Sequence, residues 1–404
     1  MVDKFGEIEA TTRRRYLKHG GTLIGSVALA GCSDLLDEEG EKATESTGGA
    51  YEACLFPVGC REFERVPESV TTYNMGWADM VISLGHGEKL RTNRIDAPEL
   101  FYEPFGLDLD PDWPALWQSS GYSKEVFYEL DPDAFLLDPN MVEAWDDNWD
   151  ESDTEEIESN VAPFFGCHNR RTESDWQHDM GYPENAPSML ETLEILGTVF
   201  DERERADAWL TLHEAVQSEV QPRVPPTEDR PSVALINSGS EPQKGTFYVL
   251  DLDDPGYEKK SYRDLGAVNA FEGVETGQHG ETDYETMLSV DPDIICVHWG
   301  ITTGSTTFDG DGAFDSEAFR EQFIAPMEND PTGCRLTAVQ NGRVYPGAEG
   351  EQGPLVNLLN TEVTARSLYP GEFGALDLDA PLEVPEEEQL FDRQRIADII
   401  NGDS

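Results

Sequence analysis

Basic side chains are scarce in this chain. Over 404 residues there are 28 Lys and Arg against 82 Asp and Glu, a formal charge of -54. A surface of that sign repels phosphates, which excludes nucleic acid as a partner. Only eight of the 28 basic residues are Lys. Extreme acidity with little Lys fits a protein working in molar salt, where screening removes the self-repulsion. Histidine is also sparse, at seven scattered residues with no His-rich loop, which argues against a binder of bare zinc or manganese. No pair of the six Cys has C-x-x-C spacing, so no zinc or redox motif is present. The sequence holds no G-x-S-x-G, H-E-x-x-H, phosphate loop or G-x-G-x-x-G, which leaves a surface-anchored hydrolase as an alternative without a motif. The segment Asp309-Gly-Asp-Gly-Ala-Phe-Asp315 has its glycine at the fourth position where an EF-hand needs the sixth, so it reads as an acidic surface loop. Apolar residues are not lacking. They make up 38% of the chain and aromatics 10%, which provides a real core and excludes a disordered acidic polymer.

The most specific signal lies at the amino terminus. Thr12-Arg13-Arg14-Arg15-Tyr16-Leu17-Lys18 matches the twin-arginine export pattern, and a mildly apolar run from Gly20 to Ala30 follows. That run is too short to span roughly 30 Å of hydrocarbon, so it belongs to a signal peptide, residues 1–31. Leu29-Ala30-Gly31-Cys32 resembles a lipobox, which makes Cys32 the lipid attachment point. Residues 32–50 are acidic, rich in Ser, Thr and Gly, and without periodicity, as expected of a flexible tether. The expectation is an extracytoplasmic protein held to the outer membrane face through a lipid.

Cys54 and Cys60 flank Leu-Phe-Pro-Val-Gly, a turn sequence suited to a hairpin-closing disulfide. Cys167 and Cys334 both stand in loop-like sequence and offer a second pairing across the chain. Cys296, inside Asp293-Ile-Ile-Cys-Val-His298, reads as a small core residue of a buried strand.

One element occurs twice. Lys124-Glu-Val-Phe-Tyr-Glu-Leu-Asp-Pro-Asp-Ala-Phe-Leu-Leu137 matches Tyr284-Glu-Thr-Met-Leu-Ser-Val-Asp-Pro-Asp-Ile-Ile-Cys-Val297. Each has a Glu in a helical turn, then Asp-Pro-Asp to end the helix, then an unbroken apolar run suited to a buried parallel strand. The repetition predicts two similar α/β lobes, residues 51–200 and 223–404. Between them, residues 201–222 predict one long helix from Glu202 to Gln221. Asp201 is its expected cap, and Trp209, Leu212, Val216 and Val220 form its apolar face. At about 1.5 Å per residue it is roughly 30 Å long, a stiff connection that permits only small closure.

These residues resemble the lipid-anchored substrate-binding proteins of ABC importers for iron–siderophore complexes, haem and cobalamin, in haloarchaeal form. The resemblance rests on Val66-Pro-Glu-Ser-Val70, Met80-Val-Ile-Ser-Leu-Gly-His-Gly87 and the two Glu…Asp-Pro-Asp units. Leu265-Gly-Ala-Val-Asn-Ala270 and Leu336-Thr-Ala-Val-Gln-Asn-Gly-Arg-Val-Tyr345 complete it. It implies two Rossmann-like lobes joined by a single long helix with the ligand between them, no catalysis and no resident cofactor. It further implies a monomer that delivers its cargo to an ABC permease dimer with its ATPase. Glu125 and Glu285 occupy the positions that dock into arginine sockets of the permease. Loops at the carboxyl ends of strands supply the expected cleft residues Tyr73, Trp77, Trp145, Trp149, Phe247, Tyr248, His298 and Trp299. Arg170, Arg171, Arg91 and Arg94 suit either an anionic chelate or surface ion pairs. Ferric hydroxamate, ferric catecholate, haem and cobalamin remain open as cargo, with a bare metal ion or another small solute as the alternative.

Overall fold

The computed structural model describes residues 50–95, 97–107, 109, 112–118, 120–302 and 314–403. The twin-arginine segment, Cys32, nearly all of the tether and the loop from Asp309 through residue 313 lie outside them. Strands β1 (Tyr51–Leu55) and β2 (Gly59–Phe63) form an antiparallel hairpin. Cys54 stands opposite Cys60 in its register, and the two are joined by a disulfide. Strand β3 (Val70–Thr72) leads into helix α1 (Met75–Ser83), whose start is capped by Asn74 accepting from the Trp77 amide at 3.0 Å. A small hairpin follows, β4 (Trp117–Gln118) with β5 (Gly121–Tyr122), then helix α2 (Lys124–Leu130) and strand β6 (Ala134–Leu136). Helices α3 (Pro139–Trp145), α4 (Glu151–Asn160), α5 (Met189–Val199) and α6 (Arg203–Val220) complete the first half.

The second half runs through β7 (Ser232–Asn237), β8 (Thr246–Tyr248), β9 (Val268–Asn269), β10 (Glu281–Asp283), helix α7 (Tyr284–Val290), β11 (Ile294–His298) and β12 (Val344–Pro346). Helix α8 (Pro354–Leu368) is buried along its whole length. The two sheets have the same plan. In the first, β3 pairs in parallel with β6, flanked by parallel bridges from Leu90 to Val70 and from Phe164 to Phe135. In the second, the parallel order is β9-β7-β11-β12. Strand β11 is buried at every residue, as its unbroken apolar run requires of a sheet covered on both faces. Among the described residues no helix is long and apolar enough to cross a membrane.

The Asp-Pro-Asp repeats are clamps on the central strand pair of each sheet. Asp131 and Asp291 end α2 and α7 in the left-handed conformation, with φ of 37° and 47°, and the following Pro prevents the helix from continuing. Asp133 Oδ2 then accepts from the amides of Glu68 and Ser69 at 2.8 and 3.1 Å, while Ser69 Oγ accepts from the Asp133 amide. Asp293 Oδ2 accepts from the Ser232 amide and hydroxyl, each at 2.8 Å, and Ser232 Oγ accepts from the Asp293 amide. Each reciprocal Ser–Asp bond sets the register at which the first strand meets the second.

Helix α6 buries Ala206, Trp209, His213, Val216 and Val220, and Trp209 Nε1 donates to the Ser83 carbonyl of α1 at 2.8 Å. Leu212 is only partly buried. Asp201 does not cap this helix. It takes a left-handed turn at φ 57°, the residue before the helix is Glu202, and the Glu202 carboxylate serves Arg205 and His86 instead. Cys167 and Cys334 are both free, because Cys167 is enclosed in the core while Cys334 lies on a surface turn. Cys296 is buried in β11.

Residues 48–404 make one compact unit, and the two halves meet through α8. Asp79 on α1 is fully buried, and its Oδ2 accepts from the Leu355 and Val356 amides at 3.1 and 3.2 Å, capping α8 from the other half. Tyr102 donates to its Oδ1 at 3.1 Å. Burial pushes the Asp79 carboxyl up to about 7 despite these donors. On the other side of α8, His213 Nε2 lies 2.9 Å from the Pro354 carbonyl.

Candidate functional site

The carboxyl ends of the parallel strands converge, as binding sites of open α/β sheets do. From the first half come Tyr73 after β3, Trp145 at the end of α3, and His168 to Arg171 beyond the Phe164 edge. From the second come residues 254–259, His298 and Trp299 after β11, and residues 349–352 beyond β12. Two backbone hydrogen bonds cross between the halves, from the Tyr257 amide to the Asn169 carbonyl at 3.2 Å and from the Glu258 amide to the Arg170 carbonyl at 3.1 Å. The approach needs a glycine at 256, where a Cβ would sit 2.1 Å from the Arg170 carbonyl oxygen.

Glu258 has no solvent exposure and is the centre of the floor. Arg171 reaches it through both Nε and Nη2, the latter at 2.8 Å. Lys259 Nζ lies 3.0 Å away, Arg170 Nη1 3.5 Å and His298 Nε2 3.4 Å. Burial alone would raise this carboxyl. Arg170, His298, Lys259 and Arg171 together hold it well below the ordinary range, so it is charged. A second carboxylate, Glu351, accepts from Arg94 Nη2 at 2.9 Å and the Met75 amide at 3.2 Å, with Arg170 Nη1 at 3.5 Å. Glu349 accepts from the Glu351 amide at 2.8 Å and from the Thr302 hydroxyl. Gln352 Nε2 donates to the Tyr257 and Glu258 carbonyls, both at 2.9 Å.

Arg94, Arg170, Arg171 and Lys259 therefore face the carboxylates Glu258, Glu349 and Glu351, a cluster of basic groups within an otherwise acidic chain. The Arg94 and Arg171 side chains are 44% and 34% exposed, so they are open to a ligand from solvent. Aromatic rings stand beside them. Trp299 lies under Arg170 and Arg171, 5.9 and 5.7 Å from ring centre to guanidinium. Tyr73, Trp145 and His168 pack edge to face, with Tyr73 and His168 5.4 and 5.2 Å from Trp145. Chemically, exposed guanidinium groups beside aromatic rings can hydrogen-bond an anionic group and stack against a flat one.

The structure brings together four of the sequence-predicted cleft residues: Tyr73, Trp145, His298 and Trp299. It places Trp77, Trp149 and Phe247 in the core instead. Trp77 is buried in α1, a helix enclosed at every residue. Trp149 packs on Phe127 at 4.9 Å and donates to Thr154, and Phe247 packs on Tyr284 at 4.9 Å. Tyr248, on the opposite face of β8, is half-buried and makes no ring contact among the described residues. His168, Glu258 and Glu351 escaped the sequence reading. The signal available was the clustering of Arg170-Arg171 and of Glu258-Lys259-Lys260 in a chain so poor in base. Glu125 and Glu285 lie elsewhere, each exposed as the second residue of its helix, α2 or α7. Ser123 donates to Glu125 at 2.6 Å and lowers its carboxyl. A separate concavity of about 700 Å³, lined in part by Ser69, Lys89, Arg91 and Trp113, shares no residue with the floor.

A two-sheet α/β fold with its polar residues gathered at the strand ends between the sheets defines a solute-binding protein. Residues 117–349, more than half of the chain, match the family described as periplasmic binding protein, and the chain belongs to that family. Comparison with curated protein sequences finds none that matches. Among solved structures, a periplasmic binding protein from Veillonella parvula is similar at TM-score 0.55 and 16% identity, over 81% of this chain and 94% of that one. An ABC transporter solute-binding protein from Sulfurospirillum deleyianum gives 0.54 and 16%, over 87% and 95%. The iron-uptake ABC transporter substrate-binding protein PiuA from Streptococcus pneumoniae gives 0.51 and 14%, over 80% and 99%. The chain thus has the solute-binding role of an ABC importer and is not an enzyme.

The buried histidines give a pH signature. Burial lowers His298 to about 4, against the pull of Glu258, and lowers His168 and His213 to about 3. Each group is depressed in the fold, so its contribution is complete above the ordinary 6.5 and is lost as pH falls toward the folded value. Each therefore adds one proton, about 1.4 kcal/mol per pH unit, to the slope of unfolding free energy below pH 6.5. His298→Gln should remove that increment between pH 6.5 and 4, read from denaturant unfolding at a series of pH values. An unchanged slope would show that native His298 is already protonated.

Proposed function

We propose that this protein is an extracytoplasmic lipoprotein that captures an anionic chelate of ferric iron and hands it to an ABC permease dimer with its ATPase. The observation that carries the cargo class is the floor. Arg94 and Arg171 present partly exposed guanidinium groups there, and the Trp299 ring stands beside Arg170 and Arg171. Such a floor attracts an anionic complex and repels a bare cation. A ferric tricatecholate is a trianion with flat aromatic arms and suits it best. Haem, through its propionates, comes next, and cobalamin and the neutral ferric hydroxamates suit it less. The iron-uptake protein of Streptococcus pneumoniae has the same fold, which supports iron as the cargo metal.

In this reading residues 1–31 direct twin-arginine export, Cys32 carries the lipid, and residues 32–50 are the tether. Lobes 51–200 and 223–404 are joined by the helix within 201–222. The salt bridges and backbone bonds between them, together with α8, restrict closure to a small motion, and the acidic surface suits a monomer in molar salt. Glu125 and Glu285 dock the loaded protein. Two exposed carboxylates at equivalent positions of repeated helices suit a pair of cationic sockets on a permease dimer.

Trp299 stands beside Arg170 and Arg171, and Trp145 and Trp176 stand beside His168, so tryptophan emission is the readout. A fluorescence titration of the folded domain in molar salt should show saturable one-to-one quenching by a ferric tricatecholate, and none by a ferric trihydroxamate at the same concentration. Equal quenching by both would remove charge as the selecting property. For docking, the double variant Glu125→Arg with Glu285→Arg should abolish uptake into cells while chelate affinity stays at the wild-type value. Uptake that survives the double reversal would remove both glutamates from the interface.

A further inference from the structure

The disulfide hairpin lies outside residues 117–349, the part of the chain matched by the family. Its contacts lead to the cleft. At one end Tyr51 stacks on Phe63 at 5.6 Å and donates to the Val199 carbonyl at the end of α5. Phe63 packs edge-on against Phe165 at 5.3 Å, three residues before His168. At the other end the turn between the bonded cysteines presents Phe56, whose ring meets Tyr182 edge-on at 4.9 Å.

Tyr182 is a junction. Its ring packs against Trp176 at 5.0 Å, and Trp176 stands 6.2 Å from the His168 ring. Its hydroxyl donates to Asp138 Oδ2 at 2.7 Å. The same oxygen accepts from the His168 amide at 2.6 Å, and Asp138 Oδ1 accepts from the Asn140 amide at 3.0 Å, capping α3. Helix α3 ends at Trp145. One buried tyrosine thus fixes both His168 and the helix that carries Trp145, and the hairpin turn covers that tyrosine from outside.

We propose that the Cys54–Cys60 hairpin is a positioning element of the ligand cleft, acting through Phe56 and Tyr182 on the wall formed by His168, Trp145 and Tyr73. Cys54, Cys60 and Phe56 touch no ligand. They set the place of rings that do, and the disulfide holds Phe56 over Tyr182. The inference rests on the cleft being the binding site.

The test uses the full mature domain in molar salt, with a ferric tricatecholate as the probe and acrylamide quenching of tryptophan as a ligand-free readout. Phe56→Ala should weaken chelate affinity about tenfold, and Cys54→Ser with Cys60→Ser by a similar factor, as loss of the support behind a binding group does. Phe56→Tyr, which keeps the ring, should stay within about twofold of wild type. Acrylamide should quench the Phe56→Ala and double-Ser variants more than wild type, while far-ultraviolet circular dichroism is unchanged. Wild-type affinity and wild-type quenching in both would overturn the inference, and so would failure of Phe56→Tyr to rescue. If the double-Ser variant does not fold, the Phe56 pair decides. If wild type binds no chelate, the cargo assignment fails separately, and the quenching comparison alone decides the positioning role.

Discussion

Glu258 is a carboxylate removed from water, and a bare ion in that position costs several kcal/mol after relaxation. Its charge is maintained by Arg171 through two nitrogens, by Lys259 and Arg170, and by the His298 ring. Removing one partner of such a buried pair costs about 3–5 kcal/mol, because the remaining charge is left uncompensated. The two arginines come from the first half of the chain and the carboxylate from the second, so this cost is also what keeps the halves in place. The backbone bonds from residues 257 and 258 to residues 169 and 170, and the glycine that lets the two segments approach, exist at the same seam. Salt screens buried pairs far less than exposed ones. An interface of this kind therefore keeps its strength in brine that weakens attraction and repulsion across an acidic surface.

The seam shares residues with the proposed binding floor. Arg170 and Arg171 hold the second half through Glu258 and also stack on Trp299, beside the open cleft. Arg94 spans the halves to Glu351 while nearly half of its side chain faces solvent. An anion entering the cleft meets guanidinium groups already fixed in direction by carboxylates behind them, so little side-chain freedom remains to be lost on binding. Asp79 adds a second crossing at the start of α8, the helix that follows the segment carrying Glu349 and Glu351. These crossings favour a cleft that is largely formed before a ligand arrives.

How much of this could be read from the sequence followed the range of the interactions. The Asp-Pro-Asp units were legible because helix end, proline and strand lie within a few residues, and the α/β class followed from their repetition. Cys54 and Cys60 were legible for the same reason, being six residues apart. The seam was not. Arg171 and Glu258 are 87 residues apart, and Arg94 and Glu351 are 257 apart. In a chain with 82 acidic residues, no single Glu announces itself as a partner. Aromatics near strand ends were equally ambiguous. Trp145 and Trp149 are four residues apart, yet one ring faces the cleft while the other fills the core of the first half. What separates them is the cap at Asp138, which aims α3, and that depends on Tyr182 far along the chain.

In the proposed reading, fixed cations from the first half receive the ligand's negative charge. The measurement that tests it most directly is calorimetric binding of a ferric tricatecholate, in molar salt, to Arg94→Gln and to wild type. Arg94 is the most exposed of the cleft arginines for which an ion pair is seen, and it makes no ion pair with Glu258 itself, so its loss leaves the direct partners of Glu258 in place. Affinity should be lower by about tenfold, the scale of one charge-assisted contact, in a variant that remains folded although Glu351 loses one of its partners. Unchanged affinity in a folded Arg94→Gln would contradict the assignment of this floor as the site that receives an anionic chelate.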